Sequence, residues 1–331
     1  MISSEINKYV KVYDKEKKVI DDKLSLVLKG RDPISLYDPA SYILKSSGKR
    51  LRPFLVVLSA KAAGGKAKQV YNAAIAVEML HNFTLVHDDI MDNADLRRGN
   101  LTLHKKFNLN TAILTGDSLL AVAYEFLLKD CKQNSKQAIS SFTKGLVEVC
   151  EGQSLDTEFE KRQNVSLNEY IGMIRKKTAS LIQMCCELGA YLVDGNANDI
   201  KALSDYGKYL GIAFQIQDDY LDITADKVEF GKRIGGDLIE GKKTFLFIEA
   251  LEKAKGTDKT DLLKVIKNKG IHPNQIPKYK KIYEELGVLD DAKNAIRNYS
   301  NKALKSIDKL SDKNSIGIYY WLSDLLIKRN K

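Results

Sequence analysis

The chain has 331 residues, 44% of them apolar and 29% charged, with a formal net charge of +10. That length can bury a substantial core, and the basic balance suits an anionic substrate or an acidic surface as well as a plain solvated Lys-rich exterior. Cys131, Cys150, Cys185 and Cys186 form no CxxC pair, so they read as reduced, buried thiols of a cytoplasmic protein rather than a disulfide framework. Residues 1–29 lack an apolar signal core and the apolar runs fall short of a spanning helix, so neither a secretory signal nor a transmembrane segment is expected. Aromatic residues do not interleave with basic clusters, which argues against a nucleic-acid module.

Of five prolines, none lies between Pro53 and Pro273. A proline-free run of that length, rich in Ala, Leu, Lys, Glu and Ile, predicts helices throughout. The first is expected over 3–28, ended by Gly30-Arg31-Asp32-Pro33, and the second over 39–45. After a turn at 46–50, Pro53 sits near the start of a helix over 51–63, which Gly64-Gly65 closes. A helix over 70–92 leads into a polar, basic loop at 93–100. Further helices are expected at about 108–130, 135–160, 167–193 and 198–223. The glycine-rich stretch 224–243 (Gly231, Gly235, Gly236, Gly241) reads as a mobile connection, and 244–331 is again helical. The expectation is one all-α domain spanning 1–331.

Two helices end in the same pattern, Asp88-Asp89-Ile90-Met91-Asp92 and Asp218-Asp219-Tyr220-Leu221-Asp222. Positions i and i+4 lie on one helix face, so Asp88 pairs with Asp92 and Asp218 with Asp222. Like charges at that spacing oppose the helix by about 0.2–0.5 kcal/mol per pair. A hard divalent cation such as Mg2+ removes that cost, and it prefers carboxylate and phosphate oxygens. Two clusters at a common mouth would hold several Mg2+ ions around a diphosphate. His81 shares the face of Asp88, and Gln215 that of Asp218. Lys49, Arg52, Arg97, Arg98, Lys177, Lys232 and Lys242 supply candidate phosphate contacts. A P-loop is nearly imitated from Gly236 on, but Lys243 stands where Ser or Thr is needed and no strand precedes it.

These residues resemble the trans-type isoprenyl diphosphate synthases, also called polyprenyl synthetases. The matching segments are Gly48-Lys49-Arg50-Leu51-Arg52-Pro53, Leu85 through Gly99, Gly152-Gln153-Ser154-Leu155-Asp156, Lys177-Thr178, Phe214 through Asp222, and Gly231-Lys232 through Lys242, in the family's order. The resemblance implies an all-α helical bundle around a deep central cavity, a homodimer, prenyl diphosphate substrates and three Mg2+ ions. It also implies a head-to-tail condensation, in which an allylic diphosphate ionises and isopentenyl diphosphate attacks the cation. Carried over, Asp88, Asp92 and Asp218 would ligate Mg2+, with Asp89, Asp156, Asp219, Asp222 and Asp237 as supporting ligands or holders of metal-bound water. Arg97, Lys177, Lys232 and Lys242 would grip the allylic diphosphate, and Lys49, Arg52, His81 and Arg98 isopentenyl diphosphate. Thr178 and Gln215 would turn oxygen dipoles toward the cation. Phe83, five residues before Asp88, would floor the product pocket with Thr84 and Leu80. A single aromatic there resembles archaeal-type geranylgeranyl diphosphate synthases, with farnesyl or longer products as the alternative. The geometry of a helix alone supports a stripe of Val77, Leu80 and Thr84 below Asp88 instead. A terpene cyclase would carry a different second metal motif, and a non-catalytic regulatory subunit would have lost an Asp cluster. The basic end Lys328-Arg329-Asn330-Lys331 either covers the site or is a solvated tail.

Overall fold

The computed structural model describes residues 3–46, 48–132, 135–225 and 234–327. The chain divides into two compact units. The first comprises Met1–Thr143, Met184–Ser204 and Lys309–Ile318, and the second Lys144–Gln183, Asp205–Asp308 and Tyr319–Lys331. Apart from one two-residue hairpin, regular structure among the described residues is helical.

In the first unit the Tyr71–Met91 helix is central. Ala73, Ala74, Ile75, Ala76, Val77, Met79 and Leu80 are all fully buried or nearly so, an apolar surface on every side that fits a helix enclosed by others. It packs along Leu109–Asp130 and against Leu51–Ala62. Its N-terminus is fixed by the buried Asp130 carboxylate, which accepts from Ala73 N–H at 2.8 Å and Asn72 Nδ2 at 2.7 Å. A carboxylate there satisfies an otherwise unpaired donor and complements the helix dipole. The helix that carries the first Asp motif is thus anchored at the end away from it.

Two boundaries differ from expectation. The N-terminal helix is Ser3–Leu24, followed by turns over 25–30, and the second helix is Ile34–Leu44 with the buried Pro39 inside it. Pro33 at its N-cap offers the start that Pro39 seemed to mark. The polar loop after Asp92 contains a hairpin, Leu96–Arg97 pairing with Asn100–Leu101, closed by Arg98 and Gly99 at positive φ. Two such residues are what the tight turns of hairpins require.

The second unit is held by a core that includes Phe159, Tyr170, Ile216, Phe245, Phe247, Tyr279 and Tyr283. The stretch expected as one helix over 167–193 is two, Leu167–Ile174 and Ser180–Tyr191, joined by a π-helical turn at Arg175–Ala179. Residues 234–242 are ordered, with a short helical turn at Gly236–Ile239, so this part of the expected mobile connection is folded. Cys185 and Cys186 are buried as expected, whereas Cys150 lies on an exposed face in the middle of Ser135–Lys161 and Cys131 is half-buried at the C-cap of Leu109–Asp130. Leu109–Asp130 is the one helix among the described residues long and apolar enough to cross a membrane. It passes that test on length and composition alone, and 44% of its apolar window is buried within the protein.

Candidate active site

The first motif occupies the last turn of Tyr71–Met91, with Asp92 as C-cap and its N–H bonded to Asp88 O at 2.8 Å. No basic residue lies in that turn. Carboxylates at the negative end of a helix dipole without a compensating base are unfavourable unless a cation joins them. The three differ in placement. Asp88 is half-buried and Asp92 exposed, while Asp89 is only 2% exposed and accepts from Arg97 Nε at 2.6 Å. Burial raises the Asp89 pKa, with the Arg97 guanidinium opposing the shift. The hairpin that carries Arg97 therefore closes over the middle carboxylate and leaves the i, i+4 pair outward.

A basic cluster lies in the same unit. Arg52 Nη1 and His81 Nε2 are 3.2 Å apart. Burial first, and then the guanidiniums of Arg52, Arg98, Arg97 and Arg50, push the His81 pKa well below its ordinary value. A guanidinium can only donate, so Nε2 accepts from Arg52 and the ring proton sits on Nδ1. Arg98 reaches the neighbouring loop: its Nη1 stands 3.0 Å from where a Cβ on Gly48 would be. Lys49 is held by its backbone, whose carbonyl accepts from the Tyr13 hydroxyl. The structure thus gathers Arg52, His81 and Arg98 around the Gly48–Lys49 segment, an arrangement of donors suited to an anion.

The second motif lies in the last two turns of Ala197–Thr224, where again no basic residue occurs. Asp218 and Asp222 line a cavity of about 250 Å³ together with Asp156, Lys177, Gln215, Asp219, Asp237 and Lys242. Asp219 is 5% exposed and is fixed by three neutral donors: the Tyr170 hydroxyl, Phe245 N–H at 3.1 Å and Gln215 Nε2 at 3.1 Å. Burial and the nearby Asp237 charge push its pKa up. Asp222 accepts at one carboxylate oxygen from Gly236 N–H and at the other from Asp237 N–H, both at 3.2 Å. It is therefore a cap for the 235–239 turn as well as part of the motif.

The π-helical turn carries Lys177 and Thr178. A π-turn inserts a residue into the helix and re-aims its neighbours, which is why such turns recur at functional sites. Lys177 pairs with Asp156. Gly152 lets the Ser135–Lys161 helix approach, since a Cβ there would run into the Lys176 and Lys177 backbone. Thr178 donates to Gln215 Oε1 at 2.8 Å, and the Gln215 amide donates onward to Asp219. Reversing that amide would set its oxygen against the Asp219 carboxylate, so the orientation is fixed. Thr178 keeps its lone pairs, whereas the Gln215 oxygen already accepts one bond. Lys242 pairs with Glu240 at 2.7 Å.

Phe83 and Thr84 are half-buried and Leu80 fully buried. The Phe83 ring lies against His87, with centroids 4.7 Å apart. Lys232, Gly231 and the basic end 328–331 lie outside the described residues. Sequence reasoning missed Tyr170, whose bond to Asp219 links residues 49 apart, and it used Lys243 only to reject a P-loop. Lys243 is 8% exposed and donates to Phe159 O at 2.8 Å, capping the end of the helix that carries Asp156. No local pattern marks either residue.

Among the described residues, no group of three or more His, Cys, Asp or Glu converges closely enough to hold a metal ion alone. The donors present are carboxylate oxygens beside lysines, in one cavity of both signs. This fits Mg2+, which dehydrates reluctantly and binds through one or two carboxylates plus substrate phosphates rather than in an all-protein cage.

Residues 34–286 match the family model described as polyprenyl synthetase. A geranylgeranyl pyrophosphate synthase of Geoglobus acetivorans is 40% identical over 95% of this chain and 97% of its own length. A geranylgeranyl diphosphate synthase of Sulfolobus acidocaldarius is 38% identical over 94% and 96%. The crystal structure of a geranylgeranyl pyrophosphate synthetase from Pyrococcus horikoshii matches with a TM-score of 0.88 at 34% identity, covering 98% of both chains.

Proposed function

The chain belongs to the polyprenyl synthetase family of trans-prenyltransferases, and we propose that it makes geranylgeranyl diphosphate (C20) from isopentenyl diphosphate and a shorter allylic diphosphate. The observation that carries the reading is the cavity of the second unit, where Asp156, Asp218, Asp222 and Asp237 stand beside Lys177 and Lys242. Carboxylates alone would suit a cation and lysines alone an anion, whereas a magnesium diphosphate calls for both. The relatives of similar length support the C20 product.

Asp88, Asp92 and Asp218 are assigned as Mg2+ ligands, for three ions when diphosphate is bound. Asp222 and Asp156 are assigned as supporting ligands, and Asp89, Asp219 and Asp237 hold metal-bound water or orient the ligands. When bound, the ions neutralise the charge that develops on the departing diphosphate. The side chains do the rest. Arg97, Lys177, Lys232 and Lys242 grip the allylic diphosphate, with Lys177 and Lys242 exchanging Asp156 and Glu240 for phosphate oxygens. Thr178 points lone pairs at the allylic cation, and Gln215 locks that hydroxyl in place. Lys49, Arg52, His81 and Arg98 hold isopentenyl diphosphate, whose double bond attacks the cation. The adduct then loses a proton, for which the departing diphosphate is the acceptor.

We assign the whole chain, 1–331, to one synthase domain that works in the cytoplasm. A homodimer is proposed on the exposed apolar residues of one helix, Ile113, Leu114 and Leu128, in the order of 38–61% exposed. Phe83, Thr84 and Leu80 are assigned to the floor of the product pocket. The test supplies purified protein with Mg2+, labelled isopentenyl diphosphate and, separately, dimethylallyl, geranyl or farnesyl diphosphate, and sizes the dephosphorylated alcohols. A dominant C20 alcohol is expected. A C15 or C30 product would overturn the chain length, and no incorporation would overturn the synthase reading.

A further inference from the structure

Between Lys49 and Arg52 lies a residue to which the reaction assigns nothing. Arg50 is 7% exposed, sits in the left-handed region at φ 48°, and is the N-cap of Leu51–Ala62. An L-residue rarely adopts that conformation unless its surroundings over-determine it. Here they do. Nε donates to Asp21 at 2.8 Å, Nη1 to Glu78 at 2.6 Å, and Nη2 to the carbonyls of Leu44 at 3.2 Å and Ser46 at 3.0 Å. One guanidinium thereby ties the 48–50 loop to the N-terminal helix, to the end of Ile34–Leu44 and to the Tyr71–Met91 helix.

The point of attachment on the last of these matters. Glu78 stands three residues before His81, on the same helix face. The Arg50–Glu78 pair therefore fixes the start of Leu51–Ala62, which carries Arg52, against the turn that carries His81, and Arg52 and His81 meet at 3.2 Å. Glu78 also offsets the positive field at Arg98. All three of its nitrogens are engaged by protein acceptors, and its side chain is 5% exposed.

We infer that Arg50, braced by Asp21 and Glu78, is a positioning residue that holds Lys49, Arg52 and His81 in the geometry that binds isopentenyl diphosphate. The inference rests on the assignment of those residues under the proposed function. Only the planar fork of arginine reaches two carboxylates and two carbonyls at once, so charge alone does not replace it.

The experiment measures KM for each of the two substrates, direct binding of isopentenyl diphosphate by titration calorimetry, and the melting midpoint. Asp21 is 42% exposed, so Asp21→Asn folds and loosens one tie. It is expected to raise KM for isopentenyl diphosphate about 3- to 10-fold. The double variant Arg50→Gly/Glu78→Gln removes the clamp without stranding a buried charge, and glycine accepts the positive φ. It is expected to raise that KM and the dissociation constant more than about 10-fold, with KM for the allylic diphosphate within about 2-fold. Arg50→Lys is expected not to rescue. Arg52→Ala serves as the control for the underlying assignment: if it leaves KM for isopentenyl diphosphate unchanged, the site reading itself fails. If Arg52→Ala raises that KM while the clamp variants leave it unchanged, raise both KM values equally, or are rescued by lysine, the positioning role is overturned.

Discussion

The two Asp motifs share a spelling and a place at a helix C-terminus, and in both the second carboxylate turns inward while the first stays at a partly open surface. What holds the inward carboxylate differs. Asp89 meets a guanidinium, that of Arg97, so its charge is largely balanced by the protein. Asp219 meets a hydroxyl, a backbone N–H and a side-chain amide, with Asp237 adding negative charge nearby. Neutral donors orient a carboxylate without cancelling its field. The second motif consequently keeps the larger demand for a cation, and the first the larger dependence on its own arginine. Spelling alone specifies the outward pair; the neighbours decide how much charge is left over.

The comparison breaks first if either outward pair proves dispensable. Asp88→Ala and Asp218→Ala should each lower turnover by about 10³-fold or more, equivalent to about 4 kcal/mol of transition-state stabilisation, with unchanged circular dichroism. Turnover within tenfold of the parent for one of them would remove that motif from the metal assignment. A sharper test separates the inward residues. Arg97→Ala leaves the buried Asp89 charge without its partner, and since the Arg97 side chain is 33% exposed the loss is set below that of a fully buried pair, at about 1–3 kcal/mol of stability. Tyr170→Phe removes one of three neutral donors and should cost about 1 kcal/mol. Urea denaturation orders the two, and the reverse order would show that neutral donors carry the greater share.

Much of this was legible before any coordinates. The absence of proline from Pro53 to Pro273 and the i, i+4 carboxylates were enough to predict helices ending in acidic clusters, because both arguments are local. The π-turn at Arg175–Ala179 was not legible, since an extra residue in a helix leaves no periodic mark; its trace is Gly152 on a facing helix. Tyr170 and Arg50 act through bonds spanning 49 and 28 residues, beyond any window of sequence periodicity. The hairpin after Asp92 was within reach, as Arg98-Gly99 sits where a two-residue turn needs positive φ. Pro39 misled for the opposite reason. A local rule placed it at a helix start, and burial of the surrounding Ala40, Ile43 and Leu44 outweighs one missing bond.

Between the outer residues, Asp92 and Asp222, the contrast predicts different kinetic signatures. Asp92 is exposed at its C-cap, while Asp222 also receives the Gly236 and Asp237 amides and so orders the segment that leads to Lys242. Asp92→Asn should act mainly on kcat. Asp222→Asn keeps one acceptor oxygen and should raise KM for the allylic diphosphate about 3- to 10-fold, with a smaller effect on kcat. Identical signatures would mean that the capping bonds have no functional weight.

The subtlest prediction concerns product length, which the first motif's helix alone is assigned to set. Two rows compete for the floor. Val77 and Leu80 are fully buried and Thr84 half-buried, in a stripe one and more turns below Asp88. Phe83 faces elsewhere and rests on His87, whose Nδ1 lies 3.1 Å from Phe83 O. Gly116 on the facing helix makes room for that imidazole, since a Cβ there would stand 2.7 Å from Nδ1. The ring is thus braced by His87, which is in turn packed against the facing helix. Phe83→Ala should lengthen the product by one or more isoprene units with turnover changed about 3-fold or less, because no metal or phosphate ligand is touched. Leu80→Ala also opens a core cavity, costing about 2–5 kcal/mol of stability, and should lengthen the product less than Phe83→Ala does. Longer alcohols from Leu80→Ala and unchanged ones from Phe83→Ala would move the floor to the buried stripe and make His87 a packing residue only.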